Sequence, residues 1–100
     1  MIAHIITFHL LPGKVDDLLH IATHSVLPFM QQQAGCTLLT LLSDYQAHRM
    51  LAIGFWESED DLLATEQSTG YQEHIAKVIP MLATPPGSES YVVQLQTAPI

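Results

Sequence analysis

Ile2-Ala3-His4-Ile5-Ile6-Thr7-Phe8-His9-Leu10-Leu11 runs straight into Pro12-Gly13. An apolar, β-branched run ended by a Pro-Gly pair reads as a strand and then a turn. Its two parities are both apolar in character. Even positions hold Ile2, His4, Ile6, Phe8 and Leu10; odd positions hold Ala3, Ile5, Thr7, His9 and Leu11. Arg49 to Trp56 behaves alike, with Leu51, Ile53 and Phe55 alternating with Met50, Ala52, Gly54 and Trp56. A sheet with one wet face alternates apolar with polar. These strands do not, so both faces of their sheet are expected to be covered.

The rest of the chain supplies cover for one face. Val15, Leu18, Leu19, Ala22, Val26, Phe29 and Met30 recur at helical spacing, which predicts a helix from about Lys14 to Gln33. Pro28 removes a backbone donor and crowds the carbonyl of His24, so a kink is expected there, with Gly35 as the stop. Cys36 to Ser43 is the second strand, Asp44 to His48 a turn, and Arg49 to Trp56 the third strand, together forming a hairpin. Ser58, followed by acids, is the expected N-cap of the next helix. Leu62 and Leu63 are expected to face inward. Gly70 interrupts the pattern, and Tyr71, Ile75, Val78, Ile79 and Leu82 form a further stripe. Thr84-Pro85-Pro86-Gly87 stops it, and Tyr91 to Gln96 is the fourth strand. The order β-α-β-β-α-β is the ferredoxin-like, split βαβ arrangement of the α+β class: a four-stranded antiparallel sheet with two helices on one face. The simplest cover for the other face is a second copy, giving a homodimer packed sheet to sheet.

Composition narrows the partners. The 100 residues fit one domain, 1–100, and 48% of them are apolar, which argues against disorder. Ten acids face only Lys14, Arg49 and Lys77, a formal charge of −7. Nucleic acid and anionic membrane surfaces are therefore poor partners, since both call for clustered bases. Asp16-Asp17 and Glu57-Glu59-Asp60-Asp61 stand at helix starts, where they complement the helix dipole. Cys36 is the one cysteine, so no internal disulfide forms. There is no basic leader and no apolar run of membrane length, and a soluble, cytoplasmic protein is expected.

Lys14 after Pro12-Gly13, then Leu27-Pro28-Phe29, Gln33-Ala34-Gly35-Cys36 and Phe55-Trp56-Glu57-Ser58-Glu59 form a set. Over nearly the whole chain it resembles the antibiotic biosynthesis monooxygenase family of dimeric α+β barrels. The resemblance implies the dimer, a pocket between the sheet and its own helices, and a monooxygenase needing no cofactor. Members act on polyketide anthrones and quinols, and some degrade haem. The haem-degrading members use an Asn on the first strand, and this sequence has no Asn; Ile6 aligns there.

Cofactor-free oxygenation needs an electron-rich substrate and a group to take its proton. A His near its ordinary pKa suits the proton step, and Tyr or Trp can hydrogen-bond a substrate oxygen. The candidate catalytic residues are His74, Tyr71 and His4, with Phe8 and Trp56 as pocket walls. His4 shares a parity with Ile6 and Phe8; His74 borders the stripe of Tyr71 and Val78. The plainer alternative for each is a partly buried packing residue. His9 has the opposite parity and is expected in the dimer interior. His20 and His24 share a helix face, but without a third ligand they read as solvated, and no metal site is assigned. Cys36 has no basic neighbour and reads as an inert small residue. The expected function is a monooxygenase of a small aromatic, quinol-like or anthrone-like compound. The alternatives are a dimeric barrel that binds a small apolar or haem-like ligand without turnover, and a metal-responsive dimer using His20 and His24.

Overall fold

In the computed structural model, residues 1–97 are described. Four strands form one antiparallel sheet in the order β2-β3-β1-β4, with all helices packed on one face. The strands are β1 (Ile2–His9), β2 (Cys36–Asp44), β3 (Arg49–Trp56) and β4 (Gly87–Val92). The helices are α1 (Val15–Ile21), α2 (Leu27–Met30), α3 (Glu59–Glu66) and α4 (Thr69–Val78). This is the ferredoxin-like α+β arrangement that the element order implied.

Register decides which residues meet the helices. His4 pairs with Gly54 of β3 on one side and Ser90 of β4 on the other, and Leu39 of β2 follows Gly54. Next to that row lies Leu41–Ala52–Ile6–Ser88. These rows face the helices: His4, Phe8, Met50, Gly54 and Trp56 are all buried. The intervening rows, Leu38–Phe55–Ala3–Tyr91 and Thr40–Ile53–Ile5–Glu89, lie on the opposite face. Within one chain, Leu38 and Tyr91 there are each 54% exposed. On β3 the helix side thus takes the smaller set, Ala52 and Gly54 included, and the open side takes Leu51, Ile53 and Phe55.

The first helical stretch ends at Met30 rather than Gln33, and its backbone departs from α geometry in the turn before Pro28. Ala22–Val26 is a π-helical turn, in which the Leu27 amide bonds the Ala22 carbonyl. Pro28 has no N–H for the carbonyl of His24. Widening the preceding turn lets the helix pass the proline with both flanks in helical geometry. Gly35, at φ +83°, turns the chain into β2, and a β-carbon there would meet the Asp61 carboxylate.

The second helical stretch breaks at Gln67-Ser68, not at Gly70. Ser68 caps α4, its hydroxyl accepting from the Tyr71 amide at 3.2 Å and donating to the Thr65 carbonyl at 2.6 Å. Gly70 lies inside α4 because α2 comes close: a β-carbon there would stand 2.5 Å from Phe29 Cε1. Ser58 caps α3 as expected, accepting from the Asp61 amide. Leu62 is buried, but Leu63 is 43% exposed, against expectation, since only one of two adjacent helical positions can face the sheet. α4 passes into a 3₁₀ turn, Ile79–Met81, around Pro80.

The fourth strand was expected at Tyr91–Gln96 and stands instead at Gly87–Val92. It is an edge strand, exposed throughout and read as Gly-Ser-Glu-Ser-Tyr-Val. Edge strands tolerate polar residues on both sides, so apolar content placed it too late in the chain. No helix among the described residues is long and apolar enough to cross a membrane.

Candidate functional site

Between the helix face of the sheet and the helices lies a cavity of about 280 Å³. Ile6, Phe8, Leu41 and Ala52 line it from the strands; Ala22, Val26, Ile75 and Val78 line it from the helices. No charged side chain takes part in its wall. The small β3 residues make room below, and the π turn contributes Ala22, Thr23 and Val26 above. Such widened turns are frequent at functional sites.

A smaller chamber of about 40 Å³ adjoins it, with Ile6, Met30, Leu39, Ala52 and Tyr71 common to both walls. Its own wall adds Gly54, Trp56, Leu62, His4 and Glu66. The polar groups of the site gather here. His4 is 8% exposed. Its Nδ1 lies 2.8 Å from Ser90 Oγ, and its Nε2 is 3.6 Å from Glu66 Oε2. The second distance is too long for a hydrogen bond, so Nε2 is buried without a partner among the described residues. Buried polar atoms are nearly always paired, and this one lies on the chamber wall. Tyr71 borders both spaces. Burial, and then the charge of Glu66, push its hydroxyl up to about 12. At neutral pH it is therefore a phenol that can donate a hydrogen bond.

The structure brings His4 and Tyr71 together, with Phe8 on the main cavity and Trp56 on the chamber. His74 is not in either wall. Its Nδ1 lies 2.8 Å from Ser25 Oγ, and its ring packs 4.7 Å from that of Phe29. Lys77 also donates to Ser25, so the three side chains tie α4 to the π turn. Tyr71, Ile75 and Val78 take the inward stripe of α4, and His74 is turned to the neighbouring helix instead. His9 is exposed on the open sheet face of the single chain. The His20 and His24 rings lie 4.3 Å apart, tilted by 57°, and stay exposed, and no group of three potential metal ligands occurs among the described residues. Burial pushes the Cys36 thiol up, which favours its protonated form.

Sequence reasoning missed Glu66 and Ser90. Glu66 follows buried Leu62 by one helical turn, a spacing that places both on the sheet-facing side of α3. Ser90 became visible only through the register of β4.

The fold and cavity define a class: a ferredoxin-like α+β protein with an apolar cavity between its sheet and helices. A model of the antibiotic biosynthesis monooxygenase family matches residues 1–77, and the chain belongs to that family. Solved structures agree on the fold. A Bordetella bronchiseptica protein named as a candidate antibiotic biosynthesis monooxygenase is 24% identical, with a TM-score of 0.84 over 94% of this chain and 97% of that one. A variant of SnoaB, a cofactor-independent oxygenase from Streptomyces nogalater, is 16% identical, with a TM-score of 0.81 over 99% and 97%. Rv0793 from Mycobacterium tuberculosis is 18% identical, with a TM-score of 0.80 over 97% and 98%. No curated protein matches the chain in sequence.

Proposed function

We propose that this chain is a cofactor-independent monooxygenase of a small, neutral, electron-rich aromatic compound, quinol-like or anthrone-like, working as a homodimer paired through the open sheet face. The observation that carries the reading is the orphaned, buried Nε2 of His4 in the small chamber that adjoins an uncharged cavity. Family membership supports the reaction type, and the apolar rows around Ile53 and Phe55 support the dimer.

The aromatic body occupies the main cavity, and its hydroxyl or acidic methylene points to the chamber. Tyr71 donates a hydrogen bond to the substrate oxygen. His4 Nε2 takes the substrate proton, and the Glu66 carboxylate, 3.6 Å away, stabilises the imidazolium that results. The anion left behind can pass an electron to dioxygen. For a methylene converted to a carbonyl, the substrate supplies all four electrons, and the products are the ketone and one water.

Dioxygen uptake with a panel of quinols, anthrones and electron-rich phenols tests this. Saturable uptake that falls on the order of 100-fold in both His4→Leu and Tyr71→Phe is expected, in the range of a lost acid–base group. Uptake unchanged in both variants rejects these residues. A saturable thermal shift with no uptake from any substrate replaces the enzyme with a binding module.

A further inference from the structure

We propose that the 40 Å³ chamber is the dioxygen site of this reaction, holding the gas and then the outer peroxide oxygen beside His4 Nε2. The inference rests on the oxygenase reading above and adds a second binding site to it.

Size excludes the ring system of the organic substrate, which stays in the main cavity with its reacting carbon at the shared wall. A site needs roughly 10–15 Å³ of such volume to hold one water, so this chamber takes a molecule of two heavy atoms and not an aromatic ring. Its character suits dioxygen: Gly54, Trp56, Leu62 and Met30 present carbon surface, and the one orphaned polar atom is a proton carrier. Its place suits the reaction, since Ile6, Ala52 and Tyr71 border both spaces and a gas molecule there abuts the substrate ring.

Gly54 explains why the chamber exists. Glycine weakens a strand interior, yet Gly54 stands in β3 between β1 and β2, opposite His4 and Leu39. A β-carbon there would stand 3.0 Å from Trp56 Nε1 and 3.9 Å from Leu39 Cδ1. It would sit on the chamber floor, at the strand position paired with His4.

The chemistry closes. The methylene carbon loses one proton to His4 Nε2, and the resulting anion combines with dioxygen to form the C–O bond. His4 returns its proton to the outer oxygen, giving a hydroperoxide. The carbon's remaining proton is then lost as the O–O bond breaks. The departing hydroxide takes up that proton as water, and the carbonyl remains. No outside reductant enters.

The test pairs a kinetic measurement with one that needs no turnover. Gly54→Ala should raise KM for dioxygen on the order of tenfold, one methyl's worth of pocket, with KM for the organic substrate unchanged. Crystals of the unaltered protein under xenon should show an atom in the chamber, absent in Gly54→Ala. Uptake with an unchanged KM for dioxygen, or a chamber that excludes xenon and keeps a fixed water on Nε2, overturns the inference and spares the proposed function. Stability lost in Gly54→Ala with an unchanged KM for dioxygen also overturns it, leaving Gly54 as a seat for the Trp56 indole. No dioxygen uptake with any substrate removes the proposed function, and this site with it.

Discussion

Replacing His4 by Leu should make the protein more stable while slowing the proposed reaction on the order of 100-fold. The residue is 8% exposed, and its Nε2 is an unpaired polar atom on a largely apolar wall. An unsatisfied buried group costs about 1–3 kcal/mol. Against this stands the Nδ1–Ser90 hydrogen bond at 2.8 Å, with a net worth of about 0.5–1.5 kcal/mol. Ser90 is exposed and rehydrates when the imidazole leaves. Glu66, with 31% of its side chain exposed, keeps its access to water as well. Leu is close to His in volume, and the chamber beside it accommodates the difference in shape. The balance is a gain of about 1 kcal/mol, or roughly 4–8 °C in Tm for a domain of this size. Urea and thermal unfolding at one fixed protomer concentration read it, because a dimer's stability depends on concentration. A loss of more than about 1 kcal/mol would refute the reasoning. It would mean that Nε2 is satisfied in solution and that His4 is a structural residue.

Ile53→Glu on the open face places a carboxylate in the row that already holds Glu89, in a chain of net charge −7; sedimentation should show a monomer at micromolar concentration, and a persistent dimer sinks sheet-to-sheet pairing. Gly70→Ala gains about 1 kcal/mol of helix propensity but forces a contact of 2.5 Å on Phe29, worth about 1–3 kcal/mol of strain. Chemical denaturation should show a net loss near 1 kcal/mol, whereas in a Phe29→Ala background the same Gly70→Ala change should be a gain. Tyr71 titrates near 12 in the folded state against 10.0 for an ordinary tyrosine. Its protonated form is thus favoured by folding, so its contribution is whole below pH 10 and is lost as pH rises toward 12, at about 1.4 kcal/mol per unit. Tyr71→Phe should flatten that alkaline slope, and an identical slope in both proteins would contradict the burial of the hydroxyl.

The central strands were legible because β1 and β3 are near-continuous apolar runs bounded by turn signals. β4 was misplaced because it is an edge, where Ser88, Glu89 and Ser90 cost nothing and send no apolar signal. That one displacement hid the site's other half. Only with β4 beginning at Gly87 does Ser90 fall opposite His4. His4 was legible from parity, since it shares a face with Ile6 and Phe8. His74 was drawn in by its neighbours on the stripe, but periodicity gives a face to about one turn, and it does not resolve a side chain that leans toward Ser25. Gly70 misled for a different reason: a glycine inside a helix can mark close packing as well as a break.

The two faces of β3 divide the work, and the division is one of volume. The outer face carries Leu51, Ile53 and Phe55, and the inner face carries Ala52 and Gly54 between Met50 and Trp56. Small residues at the centre of the inner face hollow out the site. Larger residues at 52 and 54 would fill the cavity and the chamber from below. The bulk of β3 sits instead on the outer face, where Ile53 and Phe55 leave an apolar surface that the proposed partner copy would cover. One strand thus serves two ends: its small side chains leave room for the site, and its large ones supply the surface on which pairing is proposed.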